Sequence, residues 1–394
     1  MTTHGAAKLL RKPEDPQRAT FLELFFDVVF VLALAHLSQV LSQHLTWTGA
    51  FQTLVLLLAL GWVWTNTAGL TDRADPRRPL IQLIVVTTML GCLLLAAAVP
   101  EAFGKRGLVF AGAYVAINVG RSVFLVLALH GHQVRRFFTR QLVWFGVSAV
   151  PWIAGAAAHD STRAALWILA LIVDYAGAIL RWPTPGLGRA SAAEFGIAGG
   201  HTAERYQQVF IIALGELILL TGLAYSGSGF QADHTAALVV SFATTVLLWR
   251  IYIYRAGELF PTAITAARDP VRLGFTASYS HLVMVAGIVL TAVGDEIVIT
   301  HPVGHARPAW IAVMLGGPGL FLVGRAIFEY AVFARVSRNR WIGLLALAAP
   351  TPVMLHTPPL IVALAASAVL TGVAAGDASR ARGRPSETPP DGRR

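Results

Sequence analysis

The chain of 394 residues is 55% hydrophobic and 13% charged, with a mean hydropathy of +0.62. That balance excludes an ordinary soluble domain and indicates a polytopic membrane protein. The net charge of +10 lies in short clusters between apolar runs, as loops of membrane proteins carry it, so nucleic acid is not an expected partner; the single cysteine, Cys92, excludes a disulfide framework or a multi-cysteine metal site within one chain.

Residues 1–20 are polar and carry Lys8, Arg11, Lys12 and Arg18 without a separate apolar core and cleavage site. No cleavable signal peptide is expected, and the segment reads as a cytoplasmic N-terminus. A spanning helix needs about 20 mainly apolar residues. Such runs fall at 21–42, 50–70, 80–99, 107–130, 138–158 and 163–181, a first set of six over 21–181. A polar, glycine-containing cytoplasmic linker follows at 182–204, and a second set over 205–376 has runs at 205–225, 235–254, 273–294 and 309–334. The apolar block 341–376 is interrupted by Pro350, Pro352, Pro358 and Pro359, which predicts a short hairpin of two helices near 341–356 and 359–376. Residues 377–394, rich in Pro and Arg, predict a disordered basic cytoplasmic tail.

Loop charge supports twelve spans. With the N-terminus inside, 24 of the 31 Lys and Arg residues fall in inside segments and four in outside loops, whereas an eleven-helix count would put the basic tail outside. An internal repeat is also visible. FDVVFVLALAHL (26–37) aligns with YQQVFIIALGEL (206–217), ADPRR (74–78) with RDPVR (268–272), and VGRSVF (119–124) with VGRAIF (323–328). Six helices per unit keep both units in one orientation, so the expected fold is an all-α polytopic membrane protein with about 12 transmembrane helices as two parallel six-helix repeats.

The stretches ELFFDVVFVLALAHL near the N-terminus and HTAERYQQVFIIALGEL (201–217), together with the Gly-Arg pair of the fourth helix, resemble the bacterial low temperature requirement A (LtrA) family over about residues 18–375. The resemblance implies an integral membrane protein of bacteria and a link to growth in the cold. It carries over no assigned active site, so the candidate residues rest on physical chemistry.

A charged side chain in hydrocarbon costs about 2.5–3.5 kcal/mol on insertion scales and normally faces a bundle interior or a polar path. Glu23 and Asp27, four apart, share one face of the first helix, and Asp27 is expected within pairing range of Arg121 in the fourth. That pair reads either as a structural pin between helices or as a substrate or proton site. His201, Glu204 and Arg205 stand where the seventh helix begins; Arg325 is the repeat counterpart of Arg121, with Glu329 four residues on as a local partner. His201 and Glu204 alone are too few ligands for a metal. Glu216, the counterpart of His36, falls near mid-membrane and suits proton relay or ion coupling, or else hydrogen bonding across the bundle; Asp174 in the sixth helix is a further candidate. Gly120, Gly215 and Gly324 each neighbour one of these charges and would allow close helix approach.

The function expected is a transporter or permeation protein with an intramembrane charge cluster. A sensor or scaffold of membrane state acting through a partner is the alternative. No enzyme motif is found, since a nucleophile with a base in reach is missing, and neither cofactor nor metal is expected. The partners are the lipid bilayer and a solute, proton or ion.

Overall fold

The computed structural model describes residues 7–12, 15, 18–196 and 199–381. Ten helices among them are long and apolar enough to cross a membrane, and no strand is present beyond isolated bridges, so the fold is that of an all-α polytopic membrane protein. The long helices are α1 (Phe21–Gln43), α2 (Trp47–Arg73), α3 (Pro79–Ala98), α4 (Gly107–Ala128), α5 (Arg135–Ala157), α6 (Asp160–Ile179), α7 (Gly199–Ser226), α8 (Ala232–Tyr252), α9 (Pro270–Thr300) and α10 (Pro308–Phe333), followed by α11 (Arg338–Ala348) and α12 (Pro359–Ala381). Two of these are not among the ten candidate spans. Helix α5 has the length but opens with Arg135, Arg136, Arg140 and Gln141, and α11 is only 11 residues long.

The chain falls into two compact units, Met1–Leu37 with Phe51–Arg205, and Ser38–Ala50 with Tyr206–Arg394. In the first, α3, α4, α5 and α6 pack in sequence order. The segment before α1 is docked rather than loose: Arg11 N–H donates to Arg73 O at 2.8 Å, Asp75 N–H donates to Leu9 O at 2.9 Å, and Arg77 bridges Asp15 and Asp75. Partial burial works against ionisation of Asp75, but hydrogen bonds from the Arg77 side chain and backbone outweigh it and hold the carboxyl below its usual range. Asp15 is also lowered, first by the Lys12 backbone N–H and then by Arg77.

In the second unit α9 and α10 pack along their length, because small residues let the backbones meet. A Cβ built on Gly287 would stand 2.5 Å from Phe321 N, one on Gly317 2.6 Å from Thr291 N, and one on Gly324 2.7 Å from Met284 N. Close approach, expected at three glycines, holds only for Gly324: a Cβ at Gly120 or Gly215 meets nothing within 4 Å.

The proline-rich block forms the expected hairpin with a broken first leg. Helix α11 stops at Ala348, and a single turn at Thr351–Met354 resumes after Pro350. Leu360 N–H then donates to Pro302 O, and Ala306 N–H to Thr357 O, in the connection that precedes α10. Asn339 and Arg340, at the start of α11, bond Asp377 near the end of α12. The leg from Arg338 to Thr357 thus runs from the end of α10 back to its beginning, and α12 returns, which completes a twelfth leg. Helix α12 reaches Ala381, so residues 377–381, expected in the tail, are helical because Asp377 is anchored; the tail from 382 lies outside the described residues.

Helix α8 breaks at Tyr254 (ψ 119°) and Arg255 (φ 52°) before a short helix resumes at Glu258–Ala266. Pro261 has no N–H to give to the carbonyl four residues back, which is Gly257. The Gln207 amide fills that role at 2.9 Å.

Two outcomes test these features. Gly287→Ala should cost about 1–3 kcal/mol by overpacking and lower the thermal midpoint of the detergent-purified protein, while Gly120→Ala should leave it unchanged. The lowered carboxyls contribute stability that is complete above their unfolded pKa, about 4, and lost as pH falls through the folded value. The midpoint difference between wild type and Asp75→Asn should therefore be largest near neutrality and close in acid.

Candidate functional site

The first unit gathers a buried polar network from α1, α2 and α7. Thr20 caps α1: its backbone N–H and hydroxyl donate to Glu23 Oε2 at 2.8 and 2.9 Å. This is the reciprocal half of a capping box, the Thr-x-x-Glu spacing that fixes where a helix starts. It turns Glu23 Oε1 toward His201 Nε2, 2.9 Å away, a close ion-pair contact whose N–H is not well directed for a hydrogen bond. The other ring nitrogen, Nδ1, is 2.5 Å from Asp72 Oδ1, and Asp72 Oδ2 accepts from the Thr202 hydroxyl at 2.7 Å. His201 is 0% exposed.

One turn further along each helix, Asp27 is bound by a guanidinium fork: Arg205 donates through NH1 to Oδ2 and through NH2 to Oδ1, each at 2.8 Å. Trp64 Nε1 adds a bond to Oδ1 at 2.9 Å, and the guanidinium carbon stands 5.6 Å from the centre of the Trp64 ring. Arg205 Nε is 4.0 Å from Glu23 Oε1, which links the two halves of the network. Glu204 accepts from Ala19 N–H at 3.0 Å and ties the entry of α1 to the start of α7.

Of the sequence candidates, Glu23, Asp27, His201, Glu204 and Arg205 meet here. The expected Asp27–Arg121 pair does not form. Asp27 meets Arg205 of α7 in its place. Arg121 instead donates to Thr67 Oγ1 and Asn118 Oδ1 at 2.9 and 3.0 Å. Asp174 belongs to a separate set, accepting from Tyr114 OH at 2.8 Å beside Trp152. His36 gives its Nδ1 proton to Ala96 O at 2.7 Å.

In the second unit Glu216 is fully buried, accepts from Ser38 Oγ at 2.9 Å through Oε1, and has no hydrogen bond at Oε2 among the described residues. Arg325 is 1% exposed, so it does not snorkel to the surface. It donates to the carbonyls of Ile251 and Tyr254 at 3.0 and 2.7 Å, where α8 breaks, and lies 3.6 Å from Glu329.

A family model described as bacterial low temperature requirement A protein (LtrA) matches residues 18–375. The chain belongs to the LtrA family. It is also 37% identical over 323 residues to an uncharacterized protein of Rhizobium meliloti (strain 1021), an alignment covering 80% of this chain and 78% of that one. No solved structure matches.

Sequence reasoning missed three members of the network of this LtrA protein: Trp64, Asp72 and Thr202. Thr20-x-x-Glu23 was a legible capping signal. Asp72 falls just beyond the expected run 50–70, but α2 continues to Arg73 and carries it into the network. Among the described residues no group of three or more His, Cys, Asp and Glu is arranged to hold a metal; the two carboxylates at His201 face opposite ring nitrogens rather than a common point.

Removing one partner of a buried pair leaves the other uncompensated. Asp27→Ala should cost about 3–5 kcal/mol, and Asp27→Ala with Arg205→Met should cost less than the sum of the two single changes in a double-mutant cycle read by denaturant unfolding in detergent.

Proposed function

We propose that the protein is a transporter or permeation protein of the bacterial cell membrane, with both termini cytoplasmic, whose network around His201 exchanges a proton or a small cation in step with a solute. The observation that carries this reading is a fully buried histidine held between two carboxylates, Glu23 and Asp72. Ionised carboxylates only accept, so each ring nitrogen facing one needs a proton. Three carboxylates, Glu23, Asp27 and Asp72, then stand against two cations, Arg205 and the imidazolium.

Arg73, the next cation, is spent on the Gly69 and Glu194 carbonyls and the face of the Phe137 ring. A residual negative charge in a buried site calls for one more proton or a monovalent cation. A group that must hold an exchangeable ion, built on a residue able to change charge near neutrality, suits coupling better than anchoring. Glu216, with one oxygen unbonded, is a second exchangeable acid in the other unit. The paired sequence segments support two parallel six-helix repeats, an organisation used by many transporters. No catalytic role is assigned to these residues.

The test is ion flux in proteoliposomes that carry a pH-sensitive dye, under an imposed pH gradient and then under alkali-cation gradients. Wild type should dissipate a gradient. His201→Gln should slow it roughly a hundredfold, the scale of a lost proton-transfer group, with an unchanged elution profile. Well-folded wild type that moves neither protons nor cations would reject the proposal.

A further inference from the structure

A second polar assembly lies in the second unit, in a cavity of about 440 Å³ between the break of α8, the end of α10, the start of α11 and the end of α12. Five arginines line it: Arg255, Arg325, Arg335, Arg338 and Arg380. Among the described residues two acids share the lining, Glu329 and Asp377. Those acids are occupied elsewhere. Arg340, outside the lining, donates to Glu329 Oε2 at 3.2 Å and to Asp377 Oδ2 at 2.6 Å, while Ser337 N–H and Asn339 Nδ2 take the remaining oxygens at 3.1 and 2.9 Å.

The floor of the cavity is therefore short of acceptors. Arg325, buried to 1%, spends Nε and NH2 on the two carbonyls of the α8 break, and its NH1 has no hydrogen bond among the described residues, with Glu329 at 3.6 Å. A buried guanidinium N–H without an acceptor is costly, and this one belongs to a residue that lines the cavity. The rim is different: Arg335, Arg338 and Arg380 are exposed, and Arg380 NH1 bonds Ser337 Oγ at 2.7 Å. The buried Arg325 is the one whose open N–H calls for a ligand.

We propose that this cavity binds an anion of phosphate chemistry, either a phosphate group in solution or the headgroup of an anionic lipid. Guanidinium forks match phosphate oxygens two at a time and carry a fixed charge. A volume of about 440 Å³ exceeds the need of a bare phosphate and admits a headgroup with its glycerol. Positive charge concentrated at one end of a membrane protein is also where anionic lipid is attracted. The site is independent of the His201 network, and its test has no transport readout.

The experiment has two arms on the full-length protein. In the first, inorganic phosphate is titrated calorimetrically into protein in a neutral detergent, with chloride at matched ionic strength as the blank. In the second, the protein in nanodiscs of mixed phosphatidylglycerol and phosphatidylcholine is released into native mass spectrometry, and retained lipids are counted.

Saturable phosphate binding alone identifies a solution anion; selective retention of phosphatidylglycerol identifies a headgroup; both together mean the site takes either. In each case Arg338→Ala with Arg380→Ala, which alters only exposed side chains, should weaken binding about tenfold or more, the scale of a lost charge-assisted hydrogen bond. Arg325→Lys should weaken it further if the fold survives, and the rim variant decides if it does not. No saturable binding and no lipid selectivity, or binding that the rim variant leaves unchanged, would overturn the proposal.

Discussion

Hydrocarbon offers no hydrogen-bond partners, so every charge and every freed backbone carbonyl in a membrane span must be satisfied by the protein itself. The Asp27–Arg205 fork meets that constraint in its simplest form. Both carboxylate oxygens are filled, the guanidinium lies beside an indole, and neither residue reaches solvent. Once that pair is set, the faces of α1 and α7 that carry it are fixed inward, and Glu23 and His201, one turn away, are carried to the same buried place. The helices are aligned by a charge balance that apolar packing alone, without direction, would not impose.

Arginine also answers the second half of the constraint. The chain has 28 arginines and three lysines, and several serve as caps for carbonyls rather than as partners of acids. Arg163, the first residue of the sixth apolar run, is buried and donates to the carbonyls of Gly155, Ala156 and Ala158 at the end of α5 and of Ala102 and Gly104 before α4. Arg325 performs the same service where α8 breaks. A planar fork with five donors can close several orphan carbonyls at once, which an ammonium on a flexible stem does less well. These two arginines therefore carry a structural load of their own.

The parts of this structure legible in the sequence are those set by one-dimensional pattern. Span positions followed from hydropathy, and the hairpin after residue 341 from its prolines. What was not legible is azimuth. Asp27 was expected to meet Arg121 and meets Arg205 instead, a choice set by how α7 and α4 are rotated, which apolar helices with little amphipathic contrast do not announce. The same gap hid Asp72. It falls just beyond the expected run 50–70, whereas its side chain turns inward to His201 and Thr202. Glycine reading failed for the same reason: Gly324 meets the backbone of α9, while Gly120 and Gly215 occupy helix faces where a Cβ would touch nothing.

Buried acids in the two units divide by how completely their oxygens are bonded. Asp27 has three donors on two oxygens and Asp72 has partners on both. Asp174 and Glu216 each have one oxygen bonded and one, Oδ1 or Oε2, with no hydrogen bond among the described residues; Asp295 Oδ2 is likewise unbonded. An acid placed only for structure gains from filling its second oxygen, as Asp27 does, because an unmet buried acceptor costs free energy. Leaving it unfilled preserves a place where a proton can sit without first breaking an ion pair. Asp27 is built as a filled pair, whereas Asp174, Glu216 and Asp295 each keep one oxygen open, the kind of acid on which the proposed ion exchange would draw.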